Sequence, residues 1–172
     1  RRSFRERRRS SRVCCRISIS DESVTFCSQP ELTCPKLFRP ACRLIILRGA
    51  RTKETAAKIL SRSGITHGYC VDLGCGDGAL ACELAKQSNL HVVGIETDPA
   101  KVASARKKLA TAGLYGSRVT IHQGSLSDTY LPKFFANLVV SSRSLTDVKE
   151  PFDASEAARL QRPSGGVACF GL

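Results

Sequence analysis

The sequence predicts an α/β fold with an open, doubly wound and mainly parallel sheet of about five strands, preceded by a basic, irregular N-terminal segment. Three observations predict this fold. Short apolar runs alternate with amphipathic helical patterns from residue 50 onward, an order typical of right-handed βαβ units. The first apolar run leads into a glycine-rich turn, and the second ends in an acidic residue. Both features are typical of the carboxyl edge of a parallel sheet, where ligands bind.

The helices are indicated by their start and stop signals. Thr52 is a capping residue for the first helix, and Gly64 ends it. Pro99 opens the third helix, because proline is favoured in a first turn, and Gly113 ends it. The predicted helices cover 52–62, 79–87, 99–112 and about 155–160.

The strands are short apolar runs, as expected for a parallel sheet covered on both faces. The predicted strands cover 69–73, 91–96, 119–122, 138–141 and 166–170. We expect the domain that they form to span 50–172.

Residues 1–48 differ from the rest of the chain in charge. They contain 12 lysines and arginines against four acids, a net charge of +8 out of +12 for the whole chain. We expect a basic, disordered extension here. A transit peptide and an arm that binds nucleic acid or an anionic surface are the alternatives. Residues 16–20 and 44–47 could each form a short strand, but no fold is assigned to this segment.

The overall composition excludes several classes of protein. Hydrophobic residues make up 42% of the chain and charged residues 24%, which fits neither wholesale disorder nor a fibrous repeat. The longest apolar run, 44–47, is far shorter than the roughly 20 residues of a membrane span. The chain contains no methionine, so we expect a mature product or a fragment.

The nine cysteines do not form a recognisable metal or disulfide framework. None belongs to a C-x-x-C pair, and no histidine precedes His67, so no zinc site is expected. The odd total argues against a secreted disulfide scaffold and indicates a reducing compartment, with a cytoplasmic location expected. Four cysteines lie in apolar elements, where a free thiol packs as a small hydrophobic group: Cys70, Cys75, Cys82 and Cys169.

The residues that point to chemistry lie in the turn after the first predicted strand. Gly74, Gly76 and Gly78 lack side chains, so a ligand can approach the backbone closely. Glu96 ends the next strand, 20 residues after Gly76, where a carboxylate can accept hydrogen bonds from two ribose hydroxyls. The pattern therefore predicts a site for a nucleotide-like ligand.

Two ligands match this pattern. Gly74, Gly76 and Ala79 also fit the G-x-G-x-x-G/A fingerprint of NAD-binding proteins. In that fingerprint the position of Asp72 is normally apolar, because burying an unpaired carboxylate is costly. Asp77 would place a negative charge beside the pyrophosphate of NAD. Both acids favour a cationic ligand such as S-adenosylmethionine, which carries an ammonium and a sulfonium group.

The segment 71–78, VDLGCGDG, resembles the first motif of class I S-adenosylmethionine-dependent methyltransferases. Segments 93–99, 118–125 and 162–170 resemble the second strand with its ribose-binding acid, the third strand with its adenine loop, and the turn into the fifth strand. The resemblance covers about 50–172 and implies a Rossmann-like fold with S-adenosyl-L-methionine as cofactor. The domain is also similar to methyltransferase-like domains that some large bacterial proteins join to quinoprotein-like β-propellers, although these 172 residues contain no propeller repeat.

The resemblance also implies a role for each residue of the site. The backbone of the glycine turn would follow the methionine part of the cofactor. Asp72 would hold its ammonium group through water, and Glu96 would hold its ribose. Thr97 would flank the adenine, and Ser125 stands where many members have an aspartate for the adenine amino group. The implied cofactor-binding residues are Asp72, Gly74, Cys75, Gly76, Gly78, Glu96, Thr97 and Ser125.

The chain departs from the family pattern at three places. Asn137 replaces an aspartate before the fourth strand, and 141–143, SSR, lacks the N-P-P-Y-type motif of amino-group methylation. The strands that follow the fifth are missing, so we expect a truncated domain with part of its sheet unpaired.

Neither a methyl acceptor nor a catalytic residue is identified, and no metal is expected. A catalytically inactive module that binds nucleosides or a partner is the alternative to a methyltransferase; an NAD-dependent oxidoreductase is less favoured. Nucleic acid could bind only through the basic tail.

Overall fold

The computed structural model describes residues 17–20, 23–26, 43–47, 52–146 and 154–171. The first three ranges are strands β1 (Ile17–Ser20), β2 (Ser23–Phe26) and β3 (Arg43–Leu47). The elements that follow are α1 (Thr52–Ser63), β4 (His67–Leu73), α2 (Ala79–Gln87), β5 (Asn89–Glu96), α3 (Pro99–Thr111), β6 (Val119–Gln123), β7 (Leu138–Val140), α4 (Ser142–Thr146), α5 (Ala154–Leu160) and β8 (Val167–Gly171).

The eight strands form one sheet in the order β1-β2-β3-β8-β7-β4-β5-β6. The strands from β3 to β6 in this order run parallel to one another, whereas β1 and β2 pair antiparallel at one edge. The predicted α/β fold with a mainly parallel sheet is therefore confirmed: β4 to β8 are the five predicted strands, and β3 adds a sixth parallel strand. Two predicted strands begin earlier than expected, β4 at His67 and β5 at Asn89, and α4 was not predicted.

Two hydrophobic clusters cover the two faces of the sheet, so the sheet is doubly wound. Successive residues of β4 belong to opposite clusters, because side chains alternate between the faces of a strand. Cys70 packs with Ile59 of α1 and Leu84 of α2, and Val71 packs with Leu160 of α5. This packing holds β4, β5 and β7 in place, and the candidate site lies at their carboxyl ends.

The outer edge of β8 is paired, contrary to the expectation of an unpaired sheet. Strand β3 lies parallel to β8 along its whole length, with Arg43 opposite Val167 and Leu47 opposite Gly171. The two short strands considered at 16–20 and 44–47 are present, and β2 was missed. Strands β1 to β3 lie within 1–48, the rest of that segment lies outside the described residues, and the expected basic extension stays a prediction.

In the part of the chain that the structure describes, no helix is long and apolar enough to cross a membrane. Cys70, Cys75 and Cys169 are buried free thiols, and Cys82 is partly exposed. Their packing agrees with the expectation that these cysteines serve as small hydrophobic residues.

Candidate functional site

The candidate site lies where β4, β5 and β7 end side by side. Parallel strands bring their carboxyl ends to the same edge of a sheet. In this sheet β4 lies between β5 and β7, with Asp72 opposite Gly94 on one side and Val140 on the other. The turn after β4, Glu96 at the end of β5 and the start of α4 after β7 therefore come together.

The turn after β4 follows a path that requires glycine. Gly74, Gly76 and Gly78 have φ angles of 77°, 55° and 73°, which L side chains adopt only with strain. The N–H groups of Gly74 and Cys75 both donate to the carbonyl oxygen of Ile95, at 2.8 and 3.1 Å. The turn is thus anchored to the end of β5, next to Glu96.

Gly76 and Glu96, both singled out in the sequence, are in direct contact. The Gly76 N–H donates to Glu96 Oε2 at 2.8 Å. A Cβ atom built on Gly76 would have no other atom within 4 Å, so the turn presents bare backbone to open space beside this carboxylate. A ligand that contacts the carboxylate can therefore also approach the turn.

Glu96 is a buried carboxylate, with none of its surface exposed. Burial alone would raise its pKa, but the N–H groups of Gly76, Asp98 and Thr97 and the charge of Arg143 lower the pKa below its usual value. The donor distances to Oε1 are 2.9 Å from Thr97 N, 3.4 Å from Asp98 N and 2.6 Å from Arg143 Nη2. The group is ionised and offers a fixed negative charge.

Asp72 is fully buried as well, but it is not unpaired as the sequence argument assumed. Ser142 donates to both of its oxygens, from N to Oδ1 at 2.8 Å and from Oγ to Oδ2 at 2.6 Å. Burial raises the pKa of Asp72 to about 6, although the two hydrogen bonds from Ser142 oppose this shift. The part of the argument that required a cationic ligand to relieve an unpaired Asp72 is therefore corrected.

Asp77 is bound to its surroundings in a way that disfavours a pyrophosphate. Its Oδ2 pairs with Lys108 Nζ at 2.8 Å, and its Oδ1 accepts from Ala79 N at 3.2 Å. The hydrogen bond from Lys108 lowers the pKa of Asp77. Because Ala79 is the first residue of α2, a carboxylate already lies at the helix end where dinucleotide-binding proteins place a pyrophosphate.

Two of the predicted cofactor-binding residues have clear structural roles. A Cβ atom on Gly78 would lie 3.2 Å from Ala105 Cβ and 3.4 Å from Leu109 Cδ1, so this glycine allows α3 to pack closely. The Cys75 side chain is buried in the core, and burial raises the pKa of its thiol strongly. The Cys75 backbone remains part of the turn.

Thr97 and Ser125 lie near Glu96 on the exposed side of the site. Thr97 Oγ1 donates to Glu96 Oε1 at 3.2 Å, and the neighbour of Ser125, Gly124, donates its N–H to the Glu96 carbonyl at 3.0 Å. Ser125 Oγ lies 3.0 Å from Ser127 Oγ. The structure thus brings Glu96, Thr97 and Ser125 to one edge of the sheet, and the cofactor-binding roles that the family resemblance implies for them stay a prediction.

Sequence reasoning missed the contacts of Ser142 and Arg143. The Arg143 N–H donates to the Gly74 carbonyl at 3.1 Å, and its guanidinium forms an ion pair with Glu96. Ser141 is buried, and its Oγ accepts from Ser144 N at 3.3 Å. The signal available in the sequence was the position of 141–143 directly after a strand, since that strand ends at the same edge of the sheet.

Comparison with known proteins identifies the family. A family model described as a methyltransferase domain matches residues 70–165, which include the glycine turn, Glu96 and the segment after β7. The chain belongs to this methyltransferase family. Its fold and sequence motifs are those of a class I, S-adenosylmethionine-dependent member, and its cofactor is S-adenosylmethionine.

Individual relatives agree with this family. The chain is 30% identical over 71 residues to protein arginine N-methyltransferase 1 of Saccharomyces cerevisiae, a match covering 41% of this chain and 20% of that protein. It is 33% identical over 102 residues to tRNA1(Val) (adenine(37)-N6)-methyltransferase of Porphyromonas gingivalis, covering 56% and 37% of the two chains. The methyltransferase domain therefore matches between a fifth and two fifths of these curated relatives.

A solved structure from Methanococcus maripaludis has a similar fold. It is described as a putative S-adenosyl-L-methionine-dependent methyltransferase and superimposes with a TM-score of 0.61 at 31% identity. The match covers 70% of this chain and 55% of that one. This similarity agrees with the α/β fold of the chain.

The residues present fit the cofactor of this family. Glu96 is an ionised carboxylate at the end of β5, and Gly76 beside it carries no side chain that would obstruct a ligand. S-adenosylmethionine has a ribose with two hydroxyls and a positively charged sulfonium, and a carboxylate is complementary to both. A carboxylate acceptor beside unobstructed backbone therefore suits the cofactor that the family uses.

Proposed function

We propose that this chain transfers a methyl group from S-adenosylmethionine to a nucleophile, and that the cofactor lies across the turn 74–76 with its ribose on Glu96. The observation that carries the proposal is the contact of the Gly76 N–H with Glu96 Oε2. Bare backbone and an ionised carboxylate meet at the carboxyl edge of the sheet, where ligands of such folds bind. Thr97 and Ser125 lie on the adenine side of this position.

We assign Asp72 an electrostatic role. Both of its oxygens accept hydrogen bonds from Ser142, so the ammonium of a ligand need not satisfy them. A buried negative charge still attracts a cation strongly, because the surrounding protein screens it poorly. Asp72 therefore favours S-adenosylmethionine, with its sulfonium, over the uncharged thioether of S-adenosylhomocysteine.

The chemistry requires little from the protein beyond position. The bound cofactor supplies a methyl group already activated by its sulfonium. The protein must hold the acceptor in line with that methyl group and exclude water, which accounts for much of the catalytic effect in such reactions. No side chain of the described residues is assigned as a base.

The acceptor is the open part of the proposal. One relative is named for methylating arginine in proteins and the other for methylating adenine in tRNA. The segment after β7 lacks an N-P-P-Y-type motif, which argues against nucleobase amino groups. Its arginine-containing replacement gives no direct indication of another acceptor. An attached β-propeller also stays a prediction.

A second candidate function is binding without catalysis. Arg143 lies on Glu96 and obstructs the proposed position of the ribose, which favours a module that binds a partner rather than a nucleoside. Asn137, an earlier argument for it, has a structural explanation, since its Oδ1 accepts from the Tyr69 N–H at 3.1 Å. Asn137 therefore no longer distinguishes the two functions.

Calorimetric titration of the full 172-residue chain tests the cofactor assignment. We expect S-adenosylhomocysteine to bind and NAD not to bind. Binding of NAD alone, or of neither ligand by folded protein, would contradict the proposal. Transfer of a labelled methyl group to an arginine-containing peptide, tRNA or a small amine then separates the enzyme from the binding module.

A further inference from the structure

Oε1 of Glu96 has no acceptor capacity left for a ribose hydroxyl. It accepts from Thr97 N, Thr97 Oγ1, Asp98 N and Arg143 Nη2, whereas Oε2 accepts from Gly76 N. Each carboxylate oxygen offers about two lone-pair positions, so Oε1 is crowded by four donors while Oε2 can still accept one hydroxyl. Two ribose hydroxyls, one on each oxygen, can bind Glu96 only if a donor leaves Oε1.

Arg143 is the donor that can leave. The others are backbone N–H groups of the turn and of the loop after β5, and the Thr97 hydroxyl next to Glu96 in the chain. Moving the N–H groups would require a change in the backbone. Arg143 reaches Glu96 by a long side chain that is 25% exposed, so its guanidinium can move away from Glu96 without a change in the backbone.

Arg143 also covers the glycine turn. Its Cβ lies 3.0 Å and its Nε 3.2 Å from the point where a Cβ on Gly74 would be. The side chain therefore runs from the start of α4 across Gly74 to Glu96. This path crosses the backbone along which the methionine part of the cofactor is proposed to lie. Arg143 therefore obstructs the position of the methionine part as well as that of the ribose.

We propose that Arg143 competes with the cofactor for Glu96 and that its guanidinium must leave this carboxylate before S-adenosylmethionine binds. The inference rests on the proposed function, since it assumes that Glu96 holds the ribose. The apparent affinity for the cofactor is then reduced by the fraction of molecules in which the ion pair is closed. A site that is closed nine tenths of the time binds about tenfold more weakly than an open one.

Arg143 opposes cofactor binding by its charge as well as by occupying space in the site. S-adenosylmethionine carries one more positive charge than S-adenosylhomocysteine, and a nearby guanidinium repels that charge. Adenosine contains the ribose but lacks both the sulfonium and the charged methionine part of the cofactor. The three ligands therefore separate obstruction of the ribose position from repulsion of the sulfonium.

Titration of the full chain and its variants with these three ligands tests the proposal. We expect Arg143→Ala to bind adenosine and S-adenosylhomocysteine about 5- to 10-fold more tightly than wild type, with a larger gain for S-adenosylmethionine. Arg143→Lys keeps the charge without the planar guanidinium, and its affinities should lie between those of wild type and Arg143→Ala. Arg162→Ala, at the amino edge of the sheet where its N–H donates to Ala136, loses the same charge and should bind like wild type.

The outcomes distinguish this inference from the proposed function. If wild type binds S-adenosylhomocysteine and folded Arg143→Ala binds it equally or more weakly, Arg143 does not compete and only the inference is overturned. If wild type and every variant fail to bind the three ligands, both the proposed function and this inference are overturned.

A measurement on the wild-type chain needs a variant only to assign one resonance. The guanidinium resonance of Arg143, assigned by its loss in Arg143→Lys, is followed by nuclear magnetic resonance during titration with adenosine. We expect it to move from an ion-paired to a solvent-exposed position as adenosine binds. An unchanged resonance at saturating adenosine would overturn the proposal.

Discussion

Replacing Asp72 by asparagine should make the protein more stable at neutral pH while weakening the site. Burial raises the pKa of Asp72 from 3.8 to about 6, so the folded protein binds this proton more tightly than the unfolded chain does. The stabilising effect of protonation is complete below pH 3.8 and is lost as the pH rises through about 6. A shift of about two units corresponds to about 3 kcal/mol at 1.36 kcal/mol per unit.

Asparagine avoids this loss because it stays neutral. Its side-chain oxygen can accept from Ser142 N, and its amide can donate to Ser142 Oγ, which replaces the hydrogen bonds that Asp72 makes now. We therefore expect Asp72→Asn to match wild type near pH 4 and to exceed its free energy of unfolding by up to about 3 kcal/mol at pH 7.5.

Urea unfolding of both proteins at pH 4, 5, 6 and 7.5 measures this difference. The matched control is Asp77→Asn, whose exposed carboxylate pairs with Lys108, and which should lose less than about 1 kcal/mol at pH 7.5. A variant that is less stable than wild type at pH 7.5, or that shows an unchanged difference across this range, would refute the reasoning. Binding of S-adenosylmethionine should weaken about tenfold in Asp72→Asn, and binding of S-adenosylhomocysteine by less.

Two further predictions concern binding and acid stability. Gly76→Val should abolish binding of S-adenosylhomocysteine in calorimetry yet cost only about 1–2 kcal/mol of stability, because φ is 55° and no atom lies within 4 Å of a Cβ there; a variant that binds normally contradicts the site. Glu156→Gln should lose about 1–3 kcal/mol at pH 7, because the Arg159 hydrogen bond holds the pKa of Glu156 at about 2. The loss should shrink as the pH falls from 4.5 toward 2, since wild type then loses the ionised partner too. Glu83→Gln, in an exposed pair with Lys86, is its control and should change little in the same urea titration.

Most of the sheet was predictable because its signals are local. Apolar runs between helical patterns indicated β4 to β8, and Pro99 marked the start of α3, where Asp98 Oδ1 accepts from Ala100 N at 2.9 Å. The pairing of β3 with β8 joins residues more than 100 positions apart. Nothing in either segment alone indicates that partner, so the sheet edge could not be predicted.

The sequence by itself determined the contact between Gly76 and Glu96. Both belong to one strand–turn–helix–strand unit, whose geometry brings a turn after the first strand beside the end of the next. The tertiary structure alone decided what surrounds the two carboxylates. Ser142 reaches Asp72 and Arg143 reaches Glu96 only because β7 lies next to β4 in the sheet. Burial and charge at the site therefore depend on the segment after β7, which is about 70 residues from Asp72 along the chain. That segment contains no motif from which the contact could be predicted.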